Sequence, residues 1–439
     1  MLRTDLNVNS KSWHPKSMIK ELRSSQWLPT REIVDFQFDL LFALLCQIST
    51  SSAHYKSLLS CLFKGVETSR GLREIFDTIP ILKRDQLQKN FDALLNREYP
   101  TAHGATKEVV SSGSTGRPIK ILSSELTRLK YSVLDHRLHE WCRHDYQKTV
   151  GRITRPIDLK RPPAPIHWSG LFPSGFMYQF DVCQPIPKQI DWLDDLKPDY
   201  LVTYPSNLEA LIANLRGNGR ELEVTGIVTV GEVLESSIRQ SLDEFHDAQL
   251  VDCYSAQELG YIAIQCPDNQ DIYHCQDESL YVEILKSDGS PCDVGEVGRV
   301  VVTDLHNYAS PLIRYELGDY AERGGLCQCG RGLSTISRIV GRKRNMAVLP
   351  SGEKIWPSFP AEMFMEITDK ILQFKLRQTD VGEIELLLSV SQELDETEQC
   401  RIVGSLMERL KYPFDFKFTY ADQIPRAISG KFEDFECLV

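Results

Sequence analysis

The chain has 439 residues, 42 % of them apolar, and a net charge of −11, which allows one large packed domain plus a smaller one. The acidic balance without a long basic run excludes nucleic acid as the expected partner and suits small-molecule chemistry whose anions are met locally. The N-terminus is polar, and the densest apolar run, Phe36 to Ile48, is broken by Asp39 and short of the ~20 residues of a membrane span, so a cytosolic protein with no membrane partner is expected.

Residues 16–100 read as helical, with Ser17 to Arg23, Arg31 to Gln47 and His54 to Phe63 in turn, Gly65 as a stop and a later helix capped at Asp85. Two short strand signals, Lys107 to Val110 and Ile119 to Leu122, then flank Ser111-Ser112-Gly113-Ser114-Thr115-Gly116-Arg117-Pro118. Its glycines let backbone N–H groups turn inward, its hydroxyls add donors, and Arg117 adds fixed charge, which together make a nest for phosphate oxygens. Composition alone fits an ordinary Gly/Ser turn equally well, and the spacing is not that of a Walker A loop. From Ser124 to Tyr146 the pattern is helical again, with His136, Arg137, His139, Arg143 and His144 expected on a solvated face rather than at a metal, since no second ligand set lies nearby.

The middle of the chain alternates strand and helix. Tyr200 to Thr203, Gly226 to Val230 and Gln249 to Tyr254 read as strands, with helices at Ser206 to Leu215 and Glu235 to Phe245 between them, which is α/β sheet architecture. Function in such sheets collects beyond the carboxyl ends of strands, where this chain has Gly231-Glu232 and Tyr254-Ser255-Ala256-Gln257-Glu258-Leu259-Gly260. After Arg342 a separate small unit follows: strands Ile371 to Arg377, Glu383 to Ser389 and Asp415 to Tyr420, and a helix from Glu396 to Lys411. Twelve cysteines without a secretory signal should be reduced. Among them Cys266, Cys327 and Cys329 join His274 as the three-sulfur, one-imidazole set of a closed structural Zn²⁺ site. Cys275 is a competing ligand, and four reduced cysteines beside a histidine is the plain alternative.

In order, Ser111–Pro118, Gly231-Glu232, Tyr254–Gly260, Leu312-Ile313-Arg314-Tyr315-Glu316-Leu317-Gly318-Asp319, Gly341-Arg342 and Ser429-Gly430-Lys431 resemble the core motifs of the adenylate-forming superfamily, within it the phenylacetate–CoA ligase-like branch. The resemblance runs from about residue 70 to the C-terminus. It implies an α/β fold: a large N-terminal adenylation domain of mixed sheets and helices over 1–342, helical to about residue 100, and a small α+β C-terminal lid over 343–439, hinged at Lys343 to Asn345. The implied chemistry is ATP-dependent activation of a carboxylic acid to an acyl-adenylate with loss of pyrophosphate, then acyl transfer to the thiol of CoA or a carrier-protein pantetheine.

The same resemblance distributes the roles. Ser111, Ser112, Gly113, Ser114, Thr115, Gly116 and Arg117 would cradle the β/γ-phosphates, Arg117 standing where lysine is common. Glu258 would hold Mg²⁺, a hard ion suited to carboxylate oxygen. Tyr254 would stack on adenine with the Gly231-Glu232 backbone across from it, and Gln257 stands where a hydroxyl residue is usual. Asp319 would accept the ribose hydroxyls with Arg342 completing the grip, the plain alternatives being a turn aspartate and a solvated basic cluster. Lys431 would neutralise charge between carboxylate and α-phosphate, on a terminal loop that composition alone reads as a frayed tail. The branch includes members with zinc at the positions of Cys266, His274, Cys327 and Cys329. Trp168 to Phe180 and Tyr204-Pro205-Ser206 are candidates for an aryl acid pocket, with core packing as the plain alternative. An adenylyltransferase without thioester formation, and a non-catalytic relative, remain as alternatives.

Overall fold

A computed structural model describes residues 13–110, 118–342, 345–357 and 359–439. The described residues fall into two compact units: those within 13–148, 167–176 and 251–339 form the first, and those within 149–166, 177–250 and 340–439 the second.

The first unit opens on helices Pro15–Ser25, Thr30–Ser51 and Ala53–Leu62. At 22 residues Thr30–Ser51 is longer than its apolar run suggests, and by length and composition alone it could cross a membrane. Leu41, Leu44, Leu45 and Ile48 are buried in the unit's main core, whereas Asp35 and Asp39 are exposed. Helix Arg84–Lys89 is capped at Lys83 rather than Asp85, because Gln86 reaches back to accept the Lys83 N–H at 2.8 Å. Asp85 instead lies in the first turn, where negative charge favours the helix end. Strands Lys107–Val110 and Lys120–Ser123 pair antiparallel, Val110 opposite Lys120, while the residues 111–117 that join them lie outside the described residues.

Ser124 caps helix Glu125–Trp141, its hydroxyl accepting the Thr127 N–H at 3.1 Å. Of the solvated face expected there only Arg143 is exposed; His136, Arg137, His139 and His144 are buried. The Arg137 guanidinium makes a bidentate pair with Glu278 at 2.9 and 2.7 Å and donates to the Leu22 carbonyl at 2.9 Å. Such a cluster is soluble in the core because distant segments satisfy it, which no local pattern announces.

The sheet of this unit runs in the order Leu280–Leu285, Val297–Asp304, Tyr315–Arg323, Thr335–Arg342, Asn269–Cys275, Gly260–Cys266, Gln249–Ala256. Arg314, at φ 47°, turns the chain into the third of these strands. Its buried guanidinium bonds Glu283 at 3.2 and 2.9 Å and the carbonyls of Asp77 and Ile79 at 2.6 and 2.8 Å. The arginine of the 312–319 motif therefore fastens helical segment to sheet.

In the second unit, Gly226–Val230, Tyr200–Thr203, Val150–Arg155 and Phe176–Asp181 lie side by side in parallel. All four residues of Tyr200–Thr203 are buried, as expected of a strand covered on both faces. Helices Ile186–Leu196, Pro205–Gly217 and Ser236–Phe245 provide the cover, with Leu201, Leu208, Leu211 and Leu242 in one core. The C-terminal residues carry a sheet of their own, ordered Asp415–Tyr420, Glu383–Val390, Ile371–Asp380, Phe435–Cys437. Helix Glu396–Leu410, closed by a reciprocal Asp395/Glu398 cap, adds Ile402, Leu406 and Leu410 to a core with Leu376, Ile384 and Leu388. The expected hinge residues 343 and 344 lie outside the described residues.

Candidate active site

Each unit carries part of the sequence-predicted set. In the first, strand Gln249–Ala256 ends on a tight turn that reverses into Gly260–Cys266, and Glu258 sits in that turn, buried. Its Oε1 accepts from the Tyr315 hydroxyl at 3.4 Å and lies 3.9 Å from the Arg84 guanidinium, while the Tyr131 hydroxyl donates to its backbone carbonyl at 3.2 Å. Three side chains from separate segments thus hold one carboxylate, two through its side chain and one through its backbone. Burial, with Glu258 nearby, raises the Tyr315 phenol and keeps it a donor. Gln257 is exposed beside it.

Tyr254 is buried, and its hydroxyl donates to Asp319 Oδ2 at 2.8 Å. The two residues assigned from the sequence to base and sugar are therefore linked directly. This bond fixes the orientation of the phenol ring.

In the second unit, Gly231 ends strand Gly226–Val230 at φ 81°, and Lys431 packs against it. A Cβ on Gly231 would stand 3.0 Å from Lys431 Cε and 3.2 Å from its Nζ, so a side chain there would crowd the lysine as well as strain a backbone at positive φ. The Glu232 side chain faces the same loop. Its Oε2 accepts the Ser206 N–H at 3.1 Å at the start of helix Pro205–Gly217, and its Oε1 accepts the Phe432 N–H at 2.6 Å. Burial raises the Glu232 carboxyl, opposed by Arg426 and by these N–H donors. Arg342 ends strand Thr335–Arg342. Of the predicted set, Ser111, Ser112, Gly113, Ser114, Thr115, Gly116 and Arg117 lie outside the described residues.

The cysteine–histidine set comes together in the first unit. Cys266 and His274 lie on adjacent antiparallel strands, and Cys327 and Cys329 on the loop after strand Tyr315–Arg323. All four ligand atoms lie within 4.8 Å of one another, with Cys266 Sγ 3.8 Å from Cys327 Sγ and Cys329 Sγ 3.3 Å from His274 Nε2. A tetrahedron with Zn–S bonds of about 2.3 Å has sulfur–sulfur edges of about 3.8 Å, so the donor set fits that ion. Burial, then the charge of Arg331, lowers the His274 imidazole to about 4, leaving it in the neutral form a metal requires. Cys275 is excluded as a ligand, because strand alternation sends it into the hydrophobic core. The loop is tied to the N-terminal helices: Gly332 N–H donates to the Gln26 carbonyl at 2.9 Å, Thr30 hydroxyl to the Gly332 carbonyl at 2.9 Å, and Arg331 lies over the Trp27 and Trp141 rings.

The acid-pocket candidates have other partners. Trp168 is buried, stacked on Tyr146 at 4.7 Å, with its N–H on the Lys148 carbonyl at 2.8 Å. Tyr204 donates to the Ser429 carbonyl at 3.0 Å, and Ser206 meets Glu232 and Arg426. Arg84, Tyr131 and Tyr315 were not singled out from the sequence; only Tyr315, inside a motif, carried any signal.

Residues 348–434 match the family model of the CapK C-terminal domain. The phenylacetate-coenzyme A ligase of Thermus thermophilus is 22 % identical over 387 residues, covering 83 % of each chain. That of Pseudomonas putida is 24 % identical over 327 residues, covering 69 % of this chain and 70 % of the other. Among solved structures, 2-hydroxyisobutyryl-CoA ligase in the postadenylation state aligns with a TM-score of 0.71 at 16 % identity, covering 99 % of this chain and 94 % of that one. The chain has the fold of that ligase and is related in sequence to the phenylacetate–CoA ligases.

Proposed function

We propose that this protein is an AMP-forming acid–thiol ligase. A carboxylate oxygen attacks the α-phosphate of ATP, the bond to the bridging oxygen breaks, and pyrophosphate leaves with its electron pair. A thiol then attacks the acyl carbon and displaces AMP. The observation that carries the reading is the approach of Lys431 to Gly231, since a terminal lysine held against the end of a parallel strand is poised to meet an anion rather than to fray. Bringing two anions together is the costly part of the first step, so charge placed where the transition state develops it lowers the barrier most.

In this reading Lys431 meets the carboxylate and α-phosphate, and Arg117 with Ser111 to Gly116 meets the β/γ-phosphates. Asp319 and Arg342 grip the ribose, and Tyr254 stacks on adenine. Glu258 is the ligand for Mg²⁺, which supplies charge neutralisation of the phosphates when bound. Residues 343–439 act as the lid. The acyl acceptor is CoA, and thiol dependence tests it: AMP should leave the enzyme at a rate that rises with CoA. AMP release unaffected by CoA, or AMP carried onto another substrate, would favour the adenylyltransferase reading.

The cluster of Cys266, His274, Cys327 and Cys329 is assigned to structural Zn²⁺. What supports this is the donor set, its spacing and the neutral imidazole. Purified protein should carry about one zinc per chain, and Cys327→Ser should release it and lower the melting temperature by on the order of 10 °C, because structural zinc contributes folding free energy. The loss should appear first in the N-terminal helices that the loop holds. Metal-free protein with unchanged melting would refute the assignment.

A further inference from the structure

The contacts around Lys431 are more than one residue deep. Tyr204 donates to the Ser429 carbonyl at 3.0 Å, and Arg426 Nη1 to the Gly430 carbonyl at 3.2 Å. Glu232 accepts the Phe432 N–H at 2.6 Å. The backbone is thus grasped on both sides of the lysine. Behind them, Arg426 also donates to Ser206 Oγ at 3.1 Å and Asn207 Oδ1 at 3.4 Å and stands 4.0 Å from Glu232, and both side chains are at least nine-tenths buried. Gly430 permits the approach: at φ 83° a Cβ there would lie 2.7 Å from Val182 Cγ1 and 3.0 Å from Pro156 Cδ.

Neither charged group has another evident use. Glu232 at a helix N-terminus would be satisfied by Ser206 alone, yet it divides its oxygens between the helix and the loop. Arg426 is buried at a cost that lowers its guanidinium from the ordinary range, a cost a solvated terminal loop would not incur. Together the contacts specify one register of residues 426–432, because shifting the chain by a single residue would place a side chain at Gly430 and misalign both carbonyls and the Phe432 N–H.

We propose that Glu232 and Arg426 are positioning residues that latch the lysine loop for the adenylation step and are idle in the thiol step. The proposal rests on Lys431 acting in adenylation. Because the latch holds backbone rather than the reacting groups, its loss should reduce the fraction of enzyme with Lys431 in place without altering the chemistry of a molecule that has it.

The test uses the full chain and the best acid from a panel of aryl and aliphatic carboxylic acids. Glu232→Gln keeps shape but presents an amide N–H to one of two N–H donors, so single-turnover pyrophosphate release should fall about 10- to 100-fold. Thiolysis of a pre-made acyl-adenylate should be unchanged, and the Phe432 amide should exchange faster in deuterium. Arg426→Lys, which retains charge but not the fork, should show the same split to a smaller degree. The double variant Glu232→Gln with Lys431→Ala should be no slower than Lys431→Ala alone, since Glu232 acts only through the lysine. Equal loss in both half-reactions, or an additive double variant, would make the role merely structural and overturn the latch. Loss in Lys431→Ala but none in Glu232→Gln overturns the latch alone; loss in neither overturns the role of Lys431 as well.

Discussion

Replacing Lys431 with alanine is expected to lower acid-dependent pyrophosphate release by about two to three orders of magnitude, the size seen when one preorganised donor to a developing charge is removed. The ammonium is needed where a carboxylate and a phosphate, both negative, share a transition state. It is not needed once the mixed anhydride exists, because thiol attack on the acyl carbon expels AMP as a leaving group already made. The variant should therefore still convert a pre-made acyl-adenylate to thioester at nearly the wild-type rate. Folding should be largely retained, since the loop around Lys431 is held through its backbone by Tyr204, Arg426 and Glu232. Equal loss of both half-reactions would show that the lysine has no selective part in the first.

Glu258→Gln is expected to have the other large effect. The side chain is buried and fixed by Tyr315 and by the nearby Arg84, so the amide takes the same shape but offers a neutral oxygen to a hard cation. Removing a metal ligand's charge should cut the adenylation rate on the order of 100-fold or more and raise the Mg²⁺ concentration needed for half-maximal rate, with partial recovery at high Mg²⁺. The thiol step, in which pyrophosphate has gone, should be spared. A variant with normal Mg²⁺ dependence and reduced affinity for the acid would place Glu258 in the acid pocket instead.

Strands Tyr200–Thr203 and Gly226–Val230 were legible to the residue because each is a short, uninterrupted apolar run that the sheet buries, whereas Asp415–Tyr420 was legible from its alternation, its residues being exposed and half-buried in turn. Element ends shifted by one to four residues, as at helix Thr30–Ser51 and strand Ile371–Asp380, where continuing hydrogen bonds outlast the apolar pattern. Phe435–Cys437 could not be read at all: three residues carry no period, and the strand exists because it pairs in parallel with Leu376 to Gln378. The burial of Arg137, read as solvated, was hidden for the same reason, its partner Glu278 being 141 positions away.

The site was legible as an ordered set of motifs but not as a set of contacts. The sequence placed Tyr254 and Asp319 near one nucleotide; that they bond each other depends on strands Gln249–Ala256 and Tyr315–Arg323, whose relation no local window contains. Gly231-Glu232 was read through its backbone, while the structure adds a carboxylate turned to Phe432. The clustering of Cys266, His274, Cys327 and Cys329 was the most legible feature, because cysteine and histidine are scarce and their chemistry narrow, although only the fold could dismiss Cys275.

The central claim is that the chain couples a carboxylic acid to ATP at the α-phosphate. Incubating the purified protein with MgATP and a panel of carboxylic acids, while measuring pyrophosphate and inorganic phosphate separately, tests it most directly. The account predicts pyrophosphate release that depends on an acid and is abolished by Lys431→Ala. Phosphate with ADP, or no acid-dependent product from a panel spanning aryl, short aliphatic and hydroxy acids, would contradict it.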